Sequence, residues 1–392
     1  MYARTFAVAA GLAALAGCPD RSISELEPEP AGVFTKEIAT SADIDLLFVI
    51  DNSRSTADKQ TVFAQNYPRF IAALDAFPGG RPNVHVGVVT TSVDVGAHQG
   101  GACDAGSGQD GVLQPVVGGT PGPGGAPVCG APTAQRYLAD LGLPGGGRQV
   151  SYPGTLDAAL ACTSMAVGDV GCGFEAPLEA MKRALDGSRP ANAGFVRPGA
   201  FLAVVILTDE DDCSAAPALF GFPTASVGAD DFRCTHEAYT CDQPISASAG
   251  GTYTGCRVRR DGALRDPSTY ASFLAGLKGP SRVVVAVVGG LASTTIMTGR
   301  IDMPFHQDLG LQKACDATIN GHYAIGRPAL RLTDFARAFG SHSLFESVCQ
   351  SDYSQVVSDI GKLVLDQVSP CLAPDVDPRD LDPATPGVQL AC

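Results

Sequence analysis

The sequence predicts an α/β fold in which a mostly parallel sheet is covered by helices on both faces and carries disulfide-rich loop insertions. The stretches 44–50, 201–208 and 282–288 are almost unbroken apolar runs, which marks strands buried on both faces. Segments with apolar residues at helical spacing lie between them, and strands separated by helices pair in parallel. Cysteines avoid the apolar runs and fall mostly in Gly-, Pro- and Ser-containing stretches between elements.

Residues 44–50 form the first strand. Over 55–77, Val62, Phe63, Tyr67, Phe70, Ile71 and Leu74 recur on one helical face, and Pro78-Gly79-Gly80 ends the helix. Residues 84–91 supply the next strand. A Gly- and Pro-rich insertion then covers about 96–149, with Cys103 and Cys129 as a candidate bridge. Helices are expected at 154–164 and 174–186, before the central strand at 201–208. A Cys-rich insertion spans about 213–260. A helix near 267–277 leads into the strand at 282–288, and an irregular insertion covers about 290–330. A helix near 332–339, a short strand at 344–348 and a helix at 353–367 complete one domain, 42–367, followed by a Pro- and Asp-rich tail at 368–392. No internal repeat is present.

At the N-terminus, Arg4 precedes an apolar run at 6–15 that is far too short to cross a bilayer. Residues 1–17 therefore read as a signal peptide. It closes on Leu15-Ala16-Gly17-Cys18, which resembles a bacterial lipobox. That resemblance implies a diacylglycerol on Cys18, with 18–41 as the lipidated Cys and a Glu/Pro-rich tether. Acyl chains anchor by burying methylene groups. The implied location is the bacterial cell envelope, lipid-anchored, periplasmic or cell-surface, with inner or outer membrane left open.

Of the 13 cysteines, setting Cys18 aside leaves an even set: Cys103, Cys129, Cys162, Cys172, Cys213, Cys234, Cys241, Cys256, Cys315, Cys349, Cys371 and Cys392. An exported compartment permits disulfides among them, with connectivity open. No C-x-x-C pair occurs, which argues against zinc-thiolate sites. An apolar fraction of 45% suffices for a real core, and a net charge of -14 argues against nucleic acid as a partner. The absence of Trp argues against an aromatic sugar or base platform.

Ligands of open α/β sheets sit beyond the carboxyl ends of strands, where strand order reverses. Asp51 follows the first apolar run and Asp209 follows the run ending at Thr208. With Ser53 and Ser55, Asp51 places hard oxygens on one turn, a donor set suited to Mg²⁺, Mn²⁺ or Ca²⁺. The bland alternative is that Asp51 and Ser53 only shape and cap the following helix. The run Asp209-Glu210-Asp211-Asp212 reads as a solvated loop, with a second ion the less favoured reading.

The D-x-S-x-S of Asp51, Ser53 and Ser55, joined to Thr208-Asp209 after a second buried strand, resembles the von Willebrand factor type A (vWA) family over roughly 42–367. The resemblance implies a Rossmann-like, doubly wound sheet and a metal ion-dependent adhesion site (MIDAS). Its ligands would be Asp51, Ser53, Ser55 and Asp209, with Glu210 in place of the family's usual Gly. Asp169 is the best placement for the family's Thr ligand; Thr155 and Thr163 lie nearby but before or within a helix. An Asp there would blunt the ion's attraction for a partner's carboxylate. The implied function is binding of a protein ligand, in adhesion or envelope assembly, through an acidic side chain at the metal. A structural envelope lipoprotein with a degenerate metal site is the main alternative. A metal-assisted periplasmic hydrolase is the other. No H-E-x-x-H, G-x-S-x-G or P-loop pattern is present, and His85, His98, His236, His306, His322 and His342 are scattered, so no enzyme is expected. His85, inside a strand, reads as structural.

Overall fold

The computed structural model describes residues 43–368, apart from 78, 95–108, 124–125, 216–218, 220–229 and 303–306. The expected signal peptide, Cys18, the tether, Cys103, Cys371, Cys392 and the tail lie outside the described residues.

A seven-stranded sheet is built from β1 (Asp43–Ile50), β2 (Asn83–Thr90), β3 (Leu138–Gly142), β4 (Arg148–Val150), β5 (Phe201–Leu207), β6 (Val283–Gly289) and β7 (Ser343–Ser347), in the spatial order β7-β6-β5-β1-β2-β3-β4. The strands from β7 to β2 are parallel, while β3 and β4 add to the edge antiparallel. Ile44 pairs with Val84 on one side and with Phe201 on the other. The helices are α1 (Ala57–Ala64), α2 (Tyr67–Asp75), α3 (Leu156–Met165), α4 (Pro177–Leu185), α5 (Asp230–Ala238), α6 (Pro267–Lys278), α7 (Leu330–Arg337) and α8 (Ser354–Val368).

The unbroken apolar runs are explained by two cores, one on each face. Leu46, Phe48 and Ile50 of β1 pack with α1, α2, α3 and α8, whereas Leu47 and Val49 pack with α4, α6 and α7. No helix among the described residues is long and apolar enough to cross a membrane.

Three expectations change. The single helix expected over 55–77 is broken between α1 and α2. Pro68 in the first turn of α2 has no N–H to give and its ring would clash with the carbonyl one turn back, so the helix restarts there. The stretch 96–149 is not all loop: β3 and β4 extend the sheet, and 117–121 pairs with 127–132. Cys129 bridges Cys162 of α3, not Cys103.

The other two insertions join each other. Residues 251–253, 296–302 and 307–311 form one three-stranded sheet, with Ile296 opposite Tyr253. They share a third apolar core that includes Phe174, Phe232, Tyr239, Leu311 and the bonded Cys213 and Cys256. Cys213–Cys234 and Cys241–Cys256 staple this layer, Cys315–Cys349 ties the following hairpin to the end of β7, and Cys172 is also disulfide-bonded. In that hairpin, 315–319 pairs with 322–326 around Asn320 and Gly321, both at positive φ (52° and 84°). These are residues that tolerate a tight two-residue turn.

At the sheet edge Asp140 is buried among cations. Its carboxylate accepts from Arg81 (2.8 Å), Tyr152 (2.8 Å) and Arg148. Burial alone would raise its pKa, but these bonds and the Arg148 charge hold it below the ordinary 3.8. A depressed folded-state pKa stabilises above the unfolded value and loses that contribution as pH falls through the folded one. The stability gap between wild type and Asp140→Asn is therefore expected to narrow in urea titrations taken from about pH 5 down to about pH 2. A gap unchanged across that range would refute the assignment.

Candidate metal centre

Asp51 and Asp209 stand just past the carboxyl ends of β1 and β5, neighbours in the sheet at the point where the chain's strand order reverses. The Asp51 N–H donates to Leu207 O (2.9 Å), which locks the two strand ends together. Asp51 is fully buried, and the Asp209 side chain is 2% exposed.

The turn after β1 is shaped by its own side chains. Asp51 Oδ1 accepts the Ser53 N–H (2.8 Å) and Oδ2 accepts the Thr208 hydroxyl (2.7 Å). Thr56 donates to the carbonyls of Asp51 (2.9 Å) and Ser53 (2.7 Å), and Gln60 donates to Asp51 O (2.6 Å) and Gly168 O (3.0 Å). Ser53 sits at the N-cap of the 3₁₀ turn Arg54–Thr56, yet its hydroxyl does not cap it. That hydroxyl instead lies 3.2 Å from Ser55 Oγ, which donates to Asp209 Oδ1 (3.1 Å). A run of oxygens thus leads from the D-x-S-x-S turn to Asp209, and Ser55, between Ser53 and Asp209, is exposed.

The charge balance is uneven. Lys59 Nζ lies 2.6 Å from Asp209 Oδ2 and donates to Ser55 O (2.8 Å), with its side chain 1% exposed. Burial, then the charge of Asp209, raises Asp51 to about 6. Burial, then Glu210, Asp51 and Asp209, pushes Glu175 well above its usual range. Such crowding of carboxyls favours a bound proton or a further cation.

The donor set fits a hard cation. Every candidate atom is a carboxylate or hydroxyl oxygen, the donor class that hard cations take, and two of the contacts among them are hydrogen bonds of 3.2 and 3.1 Å. Among the described residues no group of three or more His, Cys, Asp or Glu is placed to hold a metal; the set here is two carboxylates and two hydroxyls.

Asp169 is exposed, and no hydrogen bond or ion pair links it to Asp51, Ser53, Ser55 or Asp209. Its loop nonetheless abuts the turn, since Gly171 N donates to Asn52 O (2.7 Å) and a Cβ at Gly171 would overlap the Asn52 amide. Thr163 is buried against Val117 and Thr155 precedes α3, so neither reaches the cluster.

Several contributors escaped the sequence reading. Lys59 follows Ser55 by four residues, a spacing that puts both on one helical face, but only the fold brings Asp209 to it. Asn52 is clamped by Gln109 (2.8 Å) and Ser92 (2.9 Å) from distant segments. Glu175 carries no spacing signal at all. The acidic run is not a solvated loop. Asp211 accepts from the N–H groups of Arg331 (2.8 Å) and Leu332 (3.0 Å) at the start of α7, and Asp212 accepts from Leu178 N (3.1 Å) at the start of α4. Glu210 pairs with Arg327 at 3.0 Å. His85 plays the structural part expected of it: Nδ1 lies 2.9 Å from Phe195 O, and burial holds its pKa down.

No family model matches the chain, and no curated protein matches it. Among solved structures it is similar to proximal thread matrix protein 1 from the mussel byssus, at 13% identity over 84% of this chain and 47% of that one, with a TM-score of 0.33. The chain spans about half the length of that structure, and a likeness this loose carries no argument about fold or function.

Proposed function

We propose that this chain is an exported, lipid-anchored protein whose domain is of the vWA type and binds Mg²⁺, Mn²⁺ or Ca²⁺ through Asp51, Ser53, Ser55 and Asp209. The ion, in turn, would bind an acidic side chain of a protein partner. The observation that carries this reading is the run of oxygens from the Ser53 hydroxyl through Ser55 to Asp209, with Asp51 tied to the same turn by the Ser53 N–H, buried at the carboxylates and open at Ser55. Few protein ligands leave a hard ion with open positions. Asp169 adds negative charge at the rim, and Val170 beside it, 73% exposed, offers apolar contact to a partner.

The second reading, an envelope lipoprotein with a degenerate metal site, is favoured by one observation: Lys59 already neutralises Asp209. Calorimetric titration of the full-length protein with Mg²⁺, Mn²⁺ and Ca²⁺ separates the two. One site per chain, lost in Asp51→Asn and weakened in Ser53→Ala, is the expected result. A folded wild type that takes up none of the three ions would leave only the degenerate-site reading.

A further inference from the structure

We infer that Lys59 is a tethered cation that competes with the divalent ion for Asp209 and so sets the affinity of the site. This inference rests on the ion-binding reading above and deepens it.

The two oxygens of the Asp209 carboxylate face different partners. Oδ2 is 2.6 Å from Lys59 Nζ, and Oδ1 accepts the Ser55 hydroxyl at 3.1 Å. The ammonium approaches from α1 and is held a second time by the carbonyl of Ser55 at 2.8 Å. Lys59 therefore binds two residues of the donor set at once, one through its side chain and one through its backbone. Neither partner of the ion pair is open to solvent, with side chains 1% and 2% exposed. A lysine is almost never found this deep without a carboxylate, and removing one member of such a pair leaves the other charge uncompensated.

Two consequences follow for the ion. Without it, Lys59 supplies the positive charge that lets Asp209 stay buried beside Asp51. With it, one carboxylate is shared between the ammonium and the dication, in a place where solvent screens their repulsion poorly. Lys59 thus stabilises the ion-free site and weakens ion binding. A lysine that served packing alone would leave the affinity unchanged when replaced by a neutral side chain of similar length.

The test uses the full-length protein and Mn²⁺, comparing wild type with Lys59→Met, Lys59→Gln and Lys59→Arg. Calorimetry gives affinity, and thermal unfolding is recorded with and without the ion. The neutral variants are expected to bind Mn²⁺ at least about tenfold tighter, to melt lower without it, and to gain more than wild type when it is added. Lys59→Arg retains the charge and is expected to show no gain in affinity. Should Lys59→Met fold poorly without the ion, the polar Lys59→Gln carries the comparison. Wild-type binding that Asp51→Asn abolishes, together with neutral variants that bind no tighter than wild type, would overturn the role of Lys59 and leave the ion site standing. Binding by neither wild type nor the neutral variants would overturn both.

Discussion

Replacing Arg331 with methionine is expected to destabilise the domain by about 3–5 kcal/mol, a fall in Tm on the order of 10 °C. Arg331 and Asp212 are both fully buried, 2.9 Å apart. Arg331 also donates to the carbonyls of Asp212 (2.8 Å) and Arg265 (2.6 Å), so one guanidinium joins α7, the acidic loop after β5 and the segment leading into α6. Methionine roughly keeps the volume but strands the Asp212 carboxylate in the interior. That stranded charge, more than the lost attraction, accounts for the size of the effect. Arg331→Met combined with Asp212→Asn should accordingly be more stable than Arg331→Met alone, because the Asn carbonyl still serves Leu178 N. Urea unfolding of the two variants decides it. A loss below about 1 kcal/mol in the single variant would mean that water or relaxation reaches this site.

Removing the Cys315–Cys349 bridge by double serine substitution is expected to cost about 3–4 kcal/mol. The bridge closes a sequence separation of 34 residues, and the chain entropy released in the unfolded state grows with the logarithm of that length. The loss should be felt locally as well. The hairpin after Cys315 rests on α1 through His322 and Asn320, which lie 2.8 and 3.2 Å from Asp58, and Arg327 N beyond it donates to Asp209 O (2.8 Å). Hydrogen exchange is expected to speed up in 315–327 while β1 and β5 keep their protection. Uniform acceleration across the sheet would show instead that the bridge acts on the domain as a whole.

Fold and site were legible in the sequence to different depths, for physical reasons. The central strands β1, β5 and β6 announce themselves because burial on both faces demands a continuous apolar run. Helices α4, α6 and α8 fall within a few residues of expectation because one apolar face must repeat at helical spacing. Pro68, read as part of a longer helix, breaks it because a missing N–H outweighs the periodicity around it. Asn320-Gly321 is a hairpin signal in plain view, within a stretch read as irregular. β3 is short and its pattern weak, and its place depends on the edge that β2 leaves open.

The sequence by itself determined the layered architecture and the turn that presents Asp51, Ser53 and Ser55, because patterning and local hydrogen bonds act over a few residues. Only the tertiary structure decided which carboxylates do what. Asp209 faces Ser55 and Lys59, while Asp211 and Asp212, two and three residues further on, are used up at the starts of α7 and α4. Adjacent acids look alike in a sequence. Their roles are set by which buried N–H groups and cations the fold brings to each, since a buried carboxylate must find a partner and the nearest one comes from a distant part of the chain.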